Sequence, residues 1–192
     1  MFPILPMYSG IFSANLSTLM QPSLLKNLGK KPILQNSGNC GRKSRRNAHI
    51  LSLYIDTNVF DYSALAHPVY GKACKQIIDD IQNKKIEAYC SFLVPIELLG
   101  SLARIDAEKA AIAVTAFFSL PINMIQIDEG ILQDAAIIML DSGVSYDSVH
   151  AACMRRKSLD TIITEDTKDW KKIKNVKIIR PLEYQRLVKT RK

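Results

Sequence analysis

Four acids in this 192-residue chain stand where an α/β fold would gather them. Asp56 ends the apolar run 51–55 within the stretch LSLYIDTNVF. Glu97 lies inside the apolar run 94–105. Asp147 opens the segment DSVHAACMRR, and Asp166 follows the short apolar run 161–164. In open α/β sheets, ligands bind beyond the carboxyl ends of the strands. Four carboxylates brought together without matching arginines repel one another unless a cation neutralises them. The chemistry this points to is a hard divalent cation, Mg2+ or Mn2+, held by oxygen ligands and water. Such a centre can align a water for in-line attack on a phosphate and stabilise the leaving oxygen.

Each acid also has an ordinary structural reading. Asp56, with Thr57 and Asn58 behind it, is a good N-cap for a following helix. Glu97 could sit on a solvated face, although Ile96, Leu98 and Leu99 leave little polar surface beside it. Asp147 could be a first-turn acid placed for the helix dipole, with Ser145 as the N-cap. Asp166 could cap the turn around Thr167. The four together are more specific than any one alone. No other catalytic set competes: the chain has no P-loop and no GxSxG. His67 and His150 have no evident partners, and His150 reads as an ordinary helix residue beside Asp147.

The elements that must position these acids follow from periodicity. Residues 51–55 are short, apolar and rich in strand formers, as a buried strand requires. Residues 61–69 read as a connection. Residues 71–83 form an amphipathic helix, with Ala73, Ile77, Ile78 and Ile81 opposite Lys72, Lys75, Asp79 and Asp80. A strand over 86–90 precedes a helix over 94–105 with Pro95 in its first turn. A helix over 107–120 leads through Pro121 to a strand over 122–127. Helices are expected over 129–141, stopped at Gly143, and over 147–157. Strands over 161–164 and 176–179 follow, the last ending at Pro181. Alternating strands and helices predict an α/β fold with a mostly parallel sheet covered on both faces.

Composition bounds the rest. At 47% apolar residues the chain is globular, and no apolar stretch is long enough to span a bilayer. Cys40, Cys74, Cys90 and Cys153 are scattered without CxxC spacing. That argues against a zinc site or a disulfide framework and for a reducing, cytoplasmic compartment. The net charge of +8 is concentrated at one end. Residues 1–50 contain seven Lys or Arg and no acid, leaving 19 basic and 18 acidic side chains in the remainder. Residues 1–50, with four prolines and the cluster GRKSRR, are expected to be a disordered or misassigned basic extension. Residues 51–185 are expected to form the single α/β domain that carries the four acids, and 186–192 a basic tail.

The stretches IDTNVF, PIELLGS, SYDSVHAACMRR and IITEDTKDW, in this order and at these separations, resemble the PIN-domain family. Within it they look most like the VapC-type toxins of toxin–antitoxin pairs. The resemblance spans about residues 51–183, and YD-x-x-x-AA and T-x-D are its most specific parts. It implies an α/β/α sandwich and a metal-dependent ribonuclease whose products carry a 5′-phosphate. It implies that Asp56, Glu97, Asp147 and Asp166 hold Mg2+ or Mn2+, supported through hydrogen bonds by Asn58 and Thr164. Asp169-Trp170 lies one residue further along than the acid–aromatic pair of many relatives, so Asp169 could share or replace the role of Asp166. Arg155, Arg156, Lys157, Lys168, Lys171 and Lys172 flank two of the acids in sequence and are candidates to meet RNA phosphates. The resemblance also implies a homodimer and a small antitoxin partner. Two rivals are a PIN nuclease of RNA maturation or decay, and a catalytically silent RNA-binding or scaffold module.

Overall fold

A computed structural model of the chain describes residues 51–189. The expectations for residues 1–50 and for 190–192 lie outside the described residues.

The strands are β1 (Ser52–Ile55), β2 (Glu87–Ser91), β3 (Ile122–Ile125), β4 (Thr161–Ile163) and β5 (Lys177–Ile179). They pair in the order β3-β2-β1-β4-β5, every pair parallel. Strand β1 is central and apolar on both faces, as a parallel strand between two helix layers must be. Leu53 and Ile55 point into one core, and Tyr54 points into the other. On β4 the neighbours Ile163 and Ile162 divide in the same way.

The first helix layer contains α1 (Thr57–Ala64), α2 (Gly71–Gln82), α3 (Leu93–Ala103), α4 (Ala107–Phe118) and α8 (Pro181–Lys189). Val59, Phe60, Ile77, Ile81, Val94, Leu98, Leu102, Phe117 and Tyr184 join Leu53 and Ile55 there. The second contains α5 (Glu129–Ser142), α6 (Asp147–Arg156) and α7 (Thr167–Trp170). Ile131, Ala135, Ile138, Ala152, Met154 and Trp170 pack with Tyr54 and Ile162 in that layer. The result is an α/β/α sandwich with an all-parallel sheet. The chain moves outward from β1 to β3 on one side, then returns through α5 and α6 to place β4 on the other side of β1. The strand order therefore reverses between β1 and β4, where such sheets open a crevice at their carboxyl edge.

Three elements differ from expectation. Residues 57–64 are helical, because Asp56 turns the end of β1 directly into a helix: its backbone is extended and its side chain accepts from Thr57 N. The connection therefore shrinks to the residues between α1 and α2. Residues 167–170 form the single turn α7, capped by Asp166. Pro181 starts a helix where it was read as the end of a strand. Its fixed φ suits the first helical position, and Glu183 Oε2 accepts from Arg180 N at 3.1 Å, one half of a capping box. Helix α8 is held by Tyr184 Oη, which donates to the buried Asp80 at 2.9 Å. Residues 186–189 of the expected tail thus continue α8. At the other stop, Gly143 ends α5 in the left-handed conformation, as expected (φ 70°).

Candidate metal centre

The carboxyl edge of β1 and β4 is assembled around Asp56. Its Oδ1 accepts from Thr57 N at 2.7 Å. Its Oδ2 accepts from Asn58 Nδ2 at 2.6 Å and from Thr164 Oγ1 at 2.5 Å. One oxygen therefore caps α1 while the other ties the ends of β1 and β4 together. The group is 6% exposed. Burial pushes its pKa up, opposed by the charge of His150 and by the Thr164 and Thr57 hydrogen bonds.

Asn58 and Thr164 tie the two strand ends together. Besides Asp56, Asn58 Nδ2 donates to Thr164 Oγ1 at 2.8 Å, and Asn58 Oδ1 accepts from Glu165 N at 3.2 Å. Thr164 Oγ1 accepts from Asp166 N at 3.0 Å. Glu165, between them, is anchored outward by an ion pair with Arg180. The loop after β4 is thus pinned at each residue, which places Asp166 beside the edge.

Asp147, Asp166 and Asp169 each bring a carboxylate oxygen to within 4.8 Å of the others. Asp147 is in the first turn of α6, which starts at Tyr146 with no side-chain cap. The expected Ser145 cap is not made. Instead Ser148 Oγ donates to the Ser145 carbonyl at 2.6 Å. Asp147 is half-buried, and its pKa is pushed up to about 6 by burial and by Asp56, Asp166 and Asp169, against the lowering effect of His150. Asp166 is exposed and caps α7, accepting from Lys168 N at 3.0 Å. Asp169 is paired with Lys172 Nζ at 2.5 Å, which holds its pKa below the usual range.

This donor set fits a hard divalent cation. All the groups are carboxylates, three converge on one small volume, and the pKa of Asp147 is raised first by burial and then by the neighbouring acids, a combined penalty on its charge that a cation would relieve. The fit leaves Asp166 and Asp169 both within reach.

Glu97 stands apart from that trio. It is half-buried on α3 and not on a solvated face. Its Oε2 accepts from Thr57 Oγ1 at 2.5 Å and faces His150 Nε2 at 3.2 Å. Burial alone would raise its pKa, but His150 and Thr57 outweigh that and lower it. His150 is not an ordinary helix residue. It is 1% exposed, with Tyr54 Oη 2.7 Å and Ser91 Oγ 3.2 Å from Nδ1. The signal in the sequence was its spacing: three residues after Asp147, it lies on the same helix face. Asp61, read as part of a connection, also belongs to this edge. It accepts from Ser101 Oγ at 2.6 Å, and burial, with Glu97 and Asp56, lifts its pKa to about 6. His67 is structural, its Nδ1 taking the Val69 and Tyr70 N–H groups at 3.2 Å.

The basic candidates divide. Lys168, Lys171 and Lys172 surround Asp166 and Asp169 on and after α7. Arg155, Arg156 and Lys157 lie at the far end of α6, roughly 12–15 Å along the helix from Asp147 at 1.5 Å per residue. Arg156 is engaged there by Asp128, at 3.1 and 3.3 Å. Among the described residues no helix is long and apolar enough to cross a membrane.

A family model described as "PIN domain" matches residues 53–176. No curated protein matches the chain in sequence. Solved structures share the fold. VapBC2 from Rickettsia felis, bound to a DNA fragment from its promoter, gives a TM-score of 0.53 at 17% identity over 68% of this chain and 98% of that one. DNA-bound VapBC from Salmonella typhimurium gives 0.54 at 16% identity, covering 69% and 99%. VapBC-1 from nontypeable Haemophilus influenzae gives 0.52 at 16%, also covering 69% and 99%.

Proposed function

Since this chain belongs to the PIN domain family, we propose that it is an endoribonuclease that uses Mg2+ or Mn2+ to hydrolyse RNA phosphodiesters. The observation that carries this reading is the convergence of Asp147, Asp166 and Asp169 on one volume, with the buried Asp56 outside that trio but close enough for its charge to act on Asp147. Asp147, with Asp166 or Asp169, would hold the ion, and Asp56 would complete the set. A bound divalent ion supplies positive charge to the phosphate oxygens and acidifies the attacking water. The chain's own residues do the remaining work. Thr164 and Asn58 fix the orientation of Asp56. Glu97 would reach the ion directly or through its bound water, orient that water as the nucleophile and accept its proton. Lys168 and Lys171 neutralise neighbouring phosphates, which makes binding fall with salt.

We assign the chain a VapC-like role in the cytoplasm, with a small antitoxin as partner. The three cysteines in the described residues, Cys74, Cys90 and Cys153, are free and buried, which fits a reducing compartment. Helices α3 and α4 bury Leu102 and Phe117 in the core but expose Ile96, Leu99 and Phe118, and the turn between them exposes Ile105. We assign that face to a second copy of the chain about a two-fold axis.

The test is incubation of the full chain with labelled single-stranded RNA. Cleavage in Mn2+ leaving 5′-phosphate ends, abolished by EDTA and by Asp56→Asn, is expected. Undiminished cleavage in EDTA would rule out the metal mechanism.

A further inference from the structure

Behind the carboxylates lies a buried polar chain that the nuclease reading leaves without a task. Ser91 N donates to Tyr54 Oη at 3.0 Å. Tyr54 is fully buried in the central strand, and its Oη is 2.7 Å from His150 Nδ1. His150 Nε2 faces Glu97 Oε2 at 3.2 Å, and Thr57 Oγ1 approaches the same oxygen at 2.5 Å. The donors and acceptors can be assigned in sequence. With its lone pair engaged by the Ser91 N–H, the tyrosine hydroxyl turns its proton toward Nδ1. In a neutral ring the proton then sits on Nε2; in a charged ring both nitrogens carry protons, and Nδ1–H donates to the tyrosine oxygen instead. In either form Nε2–H donates to Glu97.

We infer that His150 is a positioning residue for Glu97, locked by Tyr54 and Ser91, and that it fixes which carboxylate oxygen is offered to the metal and water. This rests on the nuclease reading above. Both donors fall on Oε2, which leaves Oε1 as the oxygen turned to the reaction. Tyr54, Ser91, Thr57 and His150 come from β1, β2, α1 and α6, so the geometry is set by the packed core and not by one loop. A glutamate on a helix has three rotatable bonds. Held at one oxygen by two donors, one of them a ring 1% exposed, it keeps a single orientation. Hydrogen bonds behind ligating groups commonly govern affinity and activity in this manner.

The test is a double-mutant cycle on the full chain, read by cleavage rate and by Mn2+ affinity from calorimetry. His150→Ala should lose about 10–100-fold in both, the usual scale for such outer partners, with little change in KM for RNA. His150→Gln, whose amide can still donate to Glu97, should recover most of the loss. In a Glu97→Gln background, His150→Ala should add almost nothing, because the residue acts through Glu97. Tyr54→Phe serves if His150→Ala fails to fold. It should give a smaller loss and release Nδ1, visible as a change in the ring ¹⁵N shifts. Equal activity and affinity in His150→Ala, a full additional loss in the Glu97→Gln background, or no recovery with His150→Gln would each overturn the inference. If the wild type neither cleaves RNA nor binds Mn2+, the nuclease reading falls and takes this one with it. If it does both and Asp147→Asn abolishes them while His150→Ala matches wild type, only this inference falls.

Discussion

Replacing Asp147 with Asn should remove activity and stabilise the metal-free protein. The carboxyl moves from its ordinary 3.8 to about 6 because it is buried beside Asp56, Asp166 and Asp169. At about 1.4 kcal/mol per tenfold change in proton affinity, ionising it costs the fold about 3 kcal/mol. The side chain keeps partial contact with water, and screening reduces this to about 1–2 kcal/mol. Removing a negative charge from the first turn of α6 works the other way by about 0.3–1 kcal/mol. The expected net gain is about 1 kcal/mol, or about 3–4 °C in Tm for a domain of this size. A carboxyl whose folded pKa is raised contributes its stability below the unfolded value and loses it as pH rises through the folded one. The gain in Asp147→Asn should therefore be present at pH 8 and vanish near pH 4. Thermal denaturation of the full chain in chelator, followed by circular dichroism across that range, measures it. Added Mn2+ should reverse the order, because binding to the folded state stabilises the wild type by about 2.7 kcal/mol at 100 times Kd. A variant no more stable than wild type at pH 8 without metal, or a gain unchanged at pH 4, would refute the repulsion argument.

Other outcomes follow from the same geometry. Thr164→Val keeps the shape but strips Asp56 of a donor and leaves Asp166 N unpaired, so it should cost about 1–3 kcal/mol in urea denaturation and lower cleavage. Tyr184→Phe removes the hydroxyl that anchors α8 on the buried Asp80, and a loss of about 1–3 kcal/mol is expected; an unchanged denaturation midpoint would show that α8 is not held there. Deleting residues 1–49 should leave Tm and metal dependence unchanged, as differential scanning fluorimetry would record, while RNA affinity falls modestly with the loss of seven positive charges. Light scattering at micromolar concentration should report a dimer, and Leu99→Lys should shift it to monomer.

The architecture was legible because parallel strands buried on both faces are written as mostly apolar runs, and the inner strands within residues 51–55 and 161–163 are such runs. Three of the acids stood out for a related reason: Asp56 and Asp166 follow strands and Asp147 begins a helix, so their place at the sheet edge comes with the element, whereas Glu97 lies inside α3 and stood out only as an acid in an apolar run. Helix α1 was not, because Asp56, Thr57 and Asn58 are as good at ending a strand as at capping a helix. Helix α8 was hidden by Pro181, which terminates helices from within but starts them at their first position. The network of His150 could not be read at all. Its partners Tyr54, Ser91 and Glu97 lie 96, 59 and 53 residues away in sequence, and only the strand order brings them together. The separation of Arg155 and Lys157 from Asp147, by contrast, follows from the expected helix over 147–157, whose two ends they occupy.

The central claim is that the carboxylates at the β1–β4 edge bind a divalent ion. Crystals of the full chain soaked in Mn2+ test it most directly, through anomalous scattering at the manganese edge. A peak about 2.0–2.3 Å from carboxylate oxygens of Asp147 and of Asp166 or Asp169 is expected, lost in Asp147→Asn crystals. No peak at that edge, with the wild-type fold intact, would contradict it.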